Sequence, residues 1–156
     1  MKHFKTVRDN PRKLLHELQY FSKNDSEKFY YDSRILFNTN ELRGTKRCAA
    51  FIYFTKSSFN GIYRVNKKGE FNVPYGYHED REIFNREDIL FASELLKNVI
   101  IKKQDYTSIL PNIKKSDLVY LDPCYDPLKK TSFVHYNPKR FSIEDRDVLS
   151  NFIKKG

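Results

Sequence analysis

The sequence predicts an α/β fold in which a helical module carrying a β-hairpin precedes part of a parallel sheet. Apolar residues repeat at helical spacing through the first 60 residues, and the apolar runs that follow are short and extended. The later order of strand, turn, helix, strand, loop and helix is typical of an α/β protein. These two patterns place a helical region before a sheet-forming one.

Length and composition exclude several classes of protein. The chain has 156 residues, of which 39% are hydrophobic and 15% aromatic, so it is large and apolar enough for a folded core. No apolar run approaches the roughly 18 to 20 residues of a membrane span, and the start shows no secretory signal. Cys48 and Cys124 are far apart, and the histidines lack metal-ligand spacing. We expect a cytoplasmic protein with no disulfide framework, metal or membrane partner.

Three helices are predicted in the first 60 residues. Asn10 is the expected N-cap of a helix that begins at Pro11. A second helix is expected over about 26–37, and a third over about 45–57, where the run CAAFIYF is apolar nearly all round. The third helix should therefore be central and buried. The inner faces of the first two are Leu14, Leu15, Leu18, Phe21, Phe29, Tyr30, Ser33 and Phe37.

After the third helix, the spacing of apolar residues changes from a helical to an extended pattern. Runs 62–66 and 70–73 predict the two strands of a hairpin, with a loop between them. A helix is expected over about 87–97, a short buried strand over 99–101 and a helical turn over 105–110. An apolar strand is expected over 117–122. Ser142 begins the last helix in a motif that resembles a capping box, with Asp145 three residues later and an inner face of Val148, Leu149 and Phe152.

The charge is concentrated in one segment. The chain has a formal net charge of +9, and residues 45–78 carry six basic residues and one acidic residue. A solvated surface usually mixes both signs, so this segment is a candidate to face a polyanion such as a nucleic-acid backbone.

The tetrapeptide DPCY directly follows the predicted strand DLVYL. Ligands of open α/β sheets bind at the carboxyl ends of strands. The Asp122 carboxylate and the Pro123 carbonyl could accept the two hydrogens of an exocyclic amino group, and the Tyr125 ring offers a stacking face for a base. The alternative is an ordinary Asp-Pro turn at the end of a strand.

Two segments carry a resemblance to a known family. DPCY resembles the catalytic DPPY motif of DNA adenine methyltransferases of the Dam class, with Cys124 in place of a proline, and TSFVHYNPKRFS resembles its continuation. Upstream, AAFIYFTKSSFNGIYRVNKKGEFNVPYG resembles the segment that reads DNA in that class. The resemblance implies a partial Rossmann-like methyltransferase sheet with a target-recognition module, divided into 1–86 and 87–156.

The residues of the upstream segment suit DNA recognition. Arg64 could make a bidentate contact with guanine, and Ile62 and Pro74 could meet a thymine methyl group. Phe59 could wedge into the base stack; Lys56, Lys67 and Lys68 could hold phosphates. The resemblance implies the same roles for Phe59, Ile62, Arg64 and Pro74 and a contact of Asn60 with the DNA backbone. Asn66 is also included in the expected DNA-binding set. The alternatives are core packing for Phe59 and Ile62, and a surface salt bridge to Glu70 for Arg64.

The resemblance implies transfer of a methyl group to the amino group of a flipped adenine in double-stranded DNA, with GATC as candidate target. It makes Asp122, Pro123, Cys124 and Tyr125 the catalytic residues. S-adenosylmethionine is the implied cofactor of the complete enzyme. Because the five glycines form no G-x-G turn, we expect Asp122 and Tyr125 alone to contact it.

We therefore expect no cofactor binding by this chain alone. We expect a truncated or split enzyme whose isolated chain is marginally stable, aggregation-prone or dependent on a complementary polypeptide. The strands 99–101 and 117–122 would lack partners. A catalytically inactive DNA-binding fragment is the alternative. An RNA-binding protein is disfavoured because no GXXG loop or aromatic sheet pattern is present.

Overall fold

A computed structural model of the chain describes residues 2–77, 81–122 and 143–155. The chain divides into two compact units, Met1–Lys103 and Gln104–Gly156. Within the described ranges, no helix combines the length and apolarity that crossing a membrane requires. The functional boundary predicted after residue 86 stays a prediction.

The first unit begins with two consecutive helices, α1 (Lys2–Asp9) and α2 (Pro11–Lys23). The sequence analysis did not predict α1. The predicted start of α2 is confirmed, because the helix begins at Pro11 with Asn10 before it. The four residues predicted for its inner face are all buried. Asn10 makes no side-chain cap hydrogen bond; its backbone N–H donates to the Thr6 carbonyl at 2.9 Å instead.

The helices α3 (Glu27–Asn38) and α4 (Gly44–Ser57) confirm the second and third predicted helices. The Ser26 hydroxyl accepts a hydrogen bond from the Phe29 N–H at 3.2 Å and caps α3. Helix α4 is central, as its apolar circumference predicts. Its buried residues are Cys48, Ala49, Ala50, Tyr53, Phe54 and Ser57.

Aromatic rings join α4 to its neighbours. The Phe54 ring, which is fully buried, lies 5.2 Å from the Tyr30 ring of α3 and 5.0 Å from the stacked Phe71 ring. The Tyr53 ring lies 5.2 Å from the Phe21 ring of α2. The core therefore extends from α2 through α4 to the residues that follow α4.

Residues 58–76, here called the reversal segment, turn back on themselves after α4. Isolated antiparallel bridges join Ser58 to Tyr75 and Val65 to Phe71. The Asn66 N–H donates to the Glu70 carbonyl at 2.9 Å on the far side of the second bridge. Because the described residues form isolated bridges here and no named strand, the predicted two-stranded hairpin stays a prediction.

Helix α5 (Arg86–Leu96) confirms the helix predicted over about 87–97, and the Asn85 side chain caps it by accepting from the Asp88 N–H. The buried strand predicted over 99–101 is wrong: Val99 is 43% exposed and Ile100 81% exposed. The Val99 carbonyl accepts a hydrogen bond from Arg8 Nη1 at 2.9 Å. This carbonyl is paired with a side chain of α1, and no strand lies beside it among the described residues.

The second unit contains two short 3₁₀ turns, Tyr106–Ser108 and Leu110–Asn112, and the helix α6 (Ile143–Lys155). The strand predicted over 117–122 is not formed, and Leu118 is fully exposed. The described part of this unit offers no neighbouring strand to pair with it. Leu149 is buried on α6 as predicted, whereas Val148 is exposed, and Ser142 lies outside the described residues.

Replacing Phe54 tests whether α4 is the centre of the first unit. Phe54→Ala removes a ring that contacts four aromatic neighbours, so the free energy of unfolding should fall by about 3 to 5 kcal/mol. Urea denaturation measures the change. The matched control is Phe91→Ala on the exposed side of α5, which should change stability by less than about 0.5 kcal/mol. Equal losses in both variants would contradict the central position of α4.

Candidate nucleic-acid interface

In residues 71–74 of the reversal segment, buried side chains alternate with more exposed ones, and residues 62–64 in its first half are all exposed. Ile62, Arg64 and Pro74 are exposed, whereas Phe71 and Val73 are almost fully buried. Alternation with a period of two is the geometry of extended backbone, in which neighbouring side chains point to opposite faces. The segment therefore has an inner face against the core and an outer face toward solvent. The three predicted base-reading residues are all exposed, so core packing of Ile62 is not observed.

The inner face is fixed by hydrogen bonds from α3. The Asn38 side chain accepts from the Phe71 N–H at 2.9 Å and donates to the Phe71 carbonyl at 3.0 Å. The Tyr30 hydroxyl donates to the Val73 carbonyl at 2.9 Å, and Arg34 Nη1 donates to the same oxygen at 2.9 Å. Burial raises the pKa of the Tyr30 hydroxyl, so this group remains a donor. The backbone of 71–73 is thus held at both ends.

Arg64 lies on the outer face opposite Asn72. Its Nε donates to the Asn72 side-chain oxygen at 3.0 Å, and the Asn72 N–H donates to the Arg64 carbonyl at 3.2 Å. Within the described residues, Arg64 forms no ion pair, so the alternative of a salt bridge to Glu70 is wrong. The Glu70 carboxylate instead accepts from the Asn66 side chain at 2.8 Å.

The turn between the two arms is organised by Asn66. Its side-chain oxygen accepts from the backbone N–H groups of Lys68, at 2.9 Å, and Glu70, at 3.0 Å. Gly69 completes the turn with a φ of 80°, in the left-handed region that favours glycine. Asn66 is thus occupied in supporting the turn, and the turn presents the exposed Lys67 and Lys68 to solvent.

A tight turn over Phe59–Gly61 links α4 to the first arm. Asn60 and Gly61 both have positive φ, and a Cβ on Gly61 would lie 3.2 Å from the Thr55 carbonyl oxygen. The Phe59 N–H donates to the Pro74 carbonyl at 2.9 Å, which fixes the backbone under the Phe59 ring. That ring is 52% exposed, so core packing is not its role.

The positive charges of residues 45–78 divide into two groups. Lys46 lies over the Tyr20 ring, and Arg47 lies over the Phe37 ring and donates to the Phe37 carbonyl at 2.6 Å. These two cations are engaged with the helical core. The exposed cations that remain are Lys56, Arg64, Lys67 and Lys68. All four belong to the end of α4 or to the reversal segment.

Sequence reasoning missed the polar groups that position this surface. Neither Asn38 nor Asp25 was predicted to contribute to it. The Asp25 carboxylate accepts from the Tyr53 hydroxyl at 2.7 Å and from Arg81 Nη2 at 2.6 Å. The Tyr75 hydroxyl also donates to Asp25, at 3.4 Å. No sequence spacing relates residues so far apart, although a polar residue at a helix boundary is a signal for such contacts.

Of the predicted catalytic residues, Asp122 is exposed, and Pro123, Cys124 and Tyr125 lie outside the described residues. The described glycines all belong to the first unit, so the described part of the second unit supplies no glycine turn beside Asp122. Among the described residues, no group of three His, Cys, Asp or Glu side chains could hold a metal ion.

Replacing Asn38 tests the attachment of the reversal segment to α3. Asn38→Ala leaves the N–H and carbonyl of Phe71 without their partners, which should cost about 1 to 3 kcal/mol. Hydrogen exchange at the Phe71 amide should then accelerate, while exchange at amides within α2 changes less. The control is Thr39→Ala at the next position, where the hydroxyl makes only local bonds. Unchanged protection of Phe71 in Asn38→Ala would contradict this attachment.

Comparisons with known proteins agree with the resemblance of the motifs. The chain is 40% identical to the type II methyltransferase M.MjaIII of Methanocaldococcus jannaschii over 162 residues, covering 97% of this chain and 56% of that protein. It is 34% identical to a type II methyltransferase of Lactococcus lactis subsp. cremoris, covering 97% of this chain and 56% of that protein.

A DNA adenine methylase of Vibrio cholerae is 28% identical, with 97% of this chain and 55% of that protein covered. The chain therefore spans little more than half the length of these relatives. The profile of the D12 class N6 adenine-specific DNA methyltransferase family matches residues 1–156. A match over the whole chain shows that it belongs to the D12 class of N6 adenine-specific DNA methyltransferases.

Proposed function

We propose that this chain supplies the DNA-reading surface and the amine-orienting turn of an adenine-specific DNA methyltransferase. The observation that carries the proposal is the outer face of the reversal segment, where apolar and cationic side chains are exposed on a backbone fixed from below. Family membership supplies the reaction class. In this proposal residues 1–86 form the recognition module and residues 87–156 form part of the catalytic domain.

The outer face suits readout of base edges in the major groove. A guanidinium at Arg64 can donate two parallel hydrogen bonds to guanine O6 and N7. Ile62 and Pro74 share the exposed outer face and offer apolar surface to a thymine methyl group. If two extended arms form the predicted hairpin, they are narrow enough to enter a groove about 12 Å wide.

The neighbouring groups suit grip and base extrusion. Lys56, Lys67 and Lys68 are exposed and can neutralise phosphates. The half-exposed Phe59 ring stands on a rigid turn, so it can fill the gap that a flipped base leaves. Unstacking a base costs a few kcal/mol, which this contact would partly offset. Asn60, in the same turn, is proposed to contact the DNA backbone.

The chemistry is proposed to lie at residues 122–125. Asp122 and the Pro123 carbonyl would accept the two amino hydrogens of adenine, which draws the nitrogen lone pair out of conjugation with the ring. Tyr125 would stack on the base, and Cys124 would occupy the turn without acting as a nucleophile. S-adenosylmethionine supplies methyl groups in this family, and we propose that a complementary polypeptide provides most of its binding site.

Separate substitutions should divide sequence specificity from general affinity. Arg64→Ala should reduce the binding free energy that distinguishes the correct base pair at one position by roughly 1 to 3 kcal/mol. The preference for one base pair at that position should then be largely lost. Lys67→Ala or Lys68→Ala should weaken binding to all sequences similarly. Each should also reduce by about one the slope of the logarithm of the binding constant against the logarithm of the salt concentration. The measurement is competition binding to single-base variants of a GATC duplex at two salt concentrations. If Arg64→Ala lowers affinity for every variant equally, the reversal segment is a phosphate clamp and does not read sequence.

Asp122→Asn should nearly abolish methyl transfer by the complemented enzyme, because an amide oxygen is a weaker acceptor for the adenine amine. DNA binding should change little, since the carboxylate lies outside the reversal segment. A methylation-sensitive restriction digest follows the reaction and identifies the target, with Asp117→Asn in the same extended stretch as the control. Methylation that persists in Asp122→Asn would exclude the assigned chemistry.

The second candidate function is a DNA-binding fragment that performs no chemistry. It is favoured by the contrast between an anchored surface in the first unit and residues 117–122 in the second, which pair with no strand among the described residues. Calorimetry with S-adenosylmethionine, with and without a polypeptide that carries a glycine-rich cofactor segment, separates the two. Binding only in the mixture supports the split enzyme, and no binding in either supports the fragment.

A further inference from the structure

We propose that Asn72 is a positioning residue for Arg64 and thereby contributes to sequence discrimination without touching a base itself. The inference rests on the proposed function, because it assumes that Arg64 reads a base. It adds a residue that the sequence analysis assigned no role. The geometry that carries it is the pairing of Arg64 and Asn72 across the reversal segment.

Backbone pairing places the two residues opposite each other. The bridge between Val65 and Phe71, with the Asn72 N–H bonded to the Arg64 carbonyl, puts positions 64 and 72 in register on the outer face. Their side chains then meet, and Arg64 Nε lies 3.0 Å from the Asn72 side-chain oxygen. Side chains directly opposite in an antiparallel pair are close enough for such a bond.

Asn72 is itself well placed to hold another side chain. The residues on either side of it are buried, and their backbone groups are bonded to Asn38, Tyr30 and Arg34 of α3. Position 72 is thus fixed from both directions along the chain. A hydrogen bond from Arg64 to this fixed position restricts the motion of a long, exposed side chain.

The bond also determines which end of the guanidinium remains available. Arginine has five N–H donors, and Nε carries one of them. With Nε donating to Asn72, the four N–H groups on Nη1 and Nη2 are not used by this bond. These two nitrogens form the fork that matches guanine O6 and N7. Restricting the rotation of the side chain before binding reduces the entropy lost when the contact forms.

A direct phosphate contact by the Asn72 amide is the competing role, and a double-mutant cycle separates the two. Binding of the 156-residue chain is measured against a GATC duplex and its single-base variants. Asn72→Ala should reduce discrimination at the Arg64 position about threefold to tenfold, the worth of one hydrogen bond. In the Arg64→Ala background, Asn72→Ala should cause no further loss of discrimination. Gln19→Ala, an exposed amide on α2, is the control.

Asn72→Asp supplies the rescue variant. A carboxylate keeps an acceptor for Arg64 Nε but repels phosphates, so discrimination at the Arg64 position should persist while affinity for all sequences falls. In the free chain, the Nε–H resonance of Arg64 should be protected from exchange with water in the unaltered protein and in Asn72→Asp, and unprotected in Asn72→Ala. This measurement reports the positioning bond without DNA.

The outcomes distinguish this inference from the function on which it rests. Additive losses in the cycle, or a uniform loss at all sequences in Asn72→Ala, would assign Asn72 to the phosphate backbone and overturn the inference. An Nε–H that is equally exposed in all variants would overturn it as well. If Arg64→Ala itself leaves discrimination unchanged, the proposed base reading fails, and the positioning role fails with it.

Discussion

The hydrogen bonds from α3 to the backbone of residues 71 and 73 are the constraint on which the reversal segment depends. An isolated two-stranded hairpin is marginally stable in water. Here the Asn38 amide and the Tyr30 hydroxyl satisfy backbone groups that would otherwise be buried without partners. The attachment holds residues 71–73 against α3 and α4. Backbone hydrogen bonds between the two arms then hold the first arm beside the second. The positions of the exposed side chains on the outer face therefore depend on these hydrogen bonds from α3.

The helical core and the outer face use positive charge differently. Lys46 and Arg47 lie over aromatic rings of α2 and α3, where the guanidinium also satisfies a helix carbonyl. Lys56, Lys67 and Lys68 have no such neighbour in the described residues and extend into solvent. Net charge along the sequence is therefore a weak guide to a binding surface. A better guide is which cations remain exposed to solvent after others have bonded to the helical core.

The sequence predicted α2 to α5 well because each has a local signal, whereas α1 was not predicted. The Asn10-Pro11 start of α2, the apolar spacing of α2 and α3, and the apolar run of α4 suffice to locate them within one or two residues. The strands predicted at 99–101 and 117–122 are not formed among the described residues, because strand formation depends on a partner that no local pattern specifies. Asp25 and Asn38 were missed as organising residues for the same reason: their partners lie 28 to 56 residues away and 33 residues away, respectively. The exposure of Phe59 and Ile62 followed from the family resemblance, since an aromatic or aliphatic residue ordinarily indicates packing.

The exposed apolar groups of the outer face have a thermodynamic consequence. Phe59, Ile62 and Pro74 leave apolar surface in contact with water beside cations that attract phosphates. On the proposed function, association with DNA would combine two contributions of different origin. Counterion release weakens as salt is added, whereas burial of apolar surface is nearly insensitive to salt and lowers the heat capacity of the complex. Affinity that persists at high ionic strength would then measure the apolar part of the recognition surface.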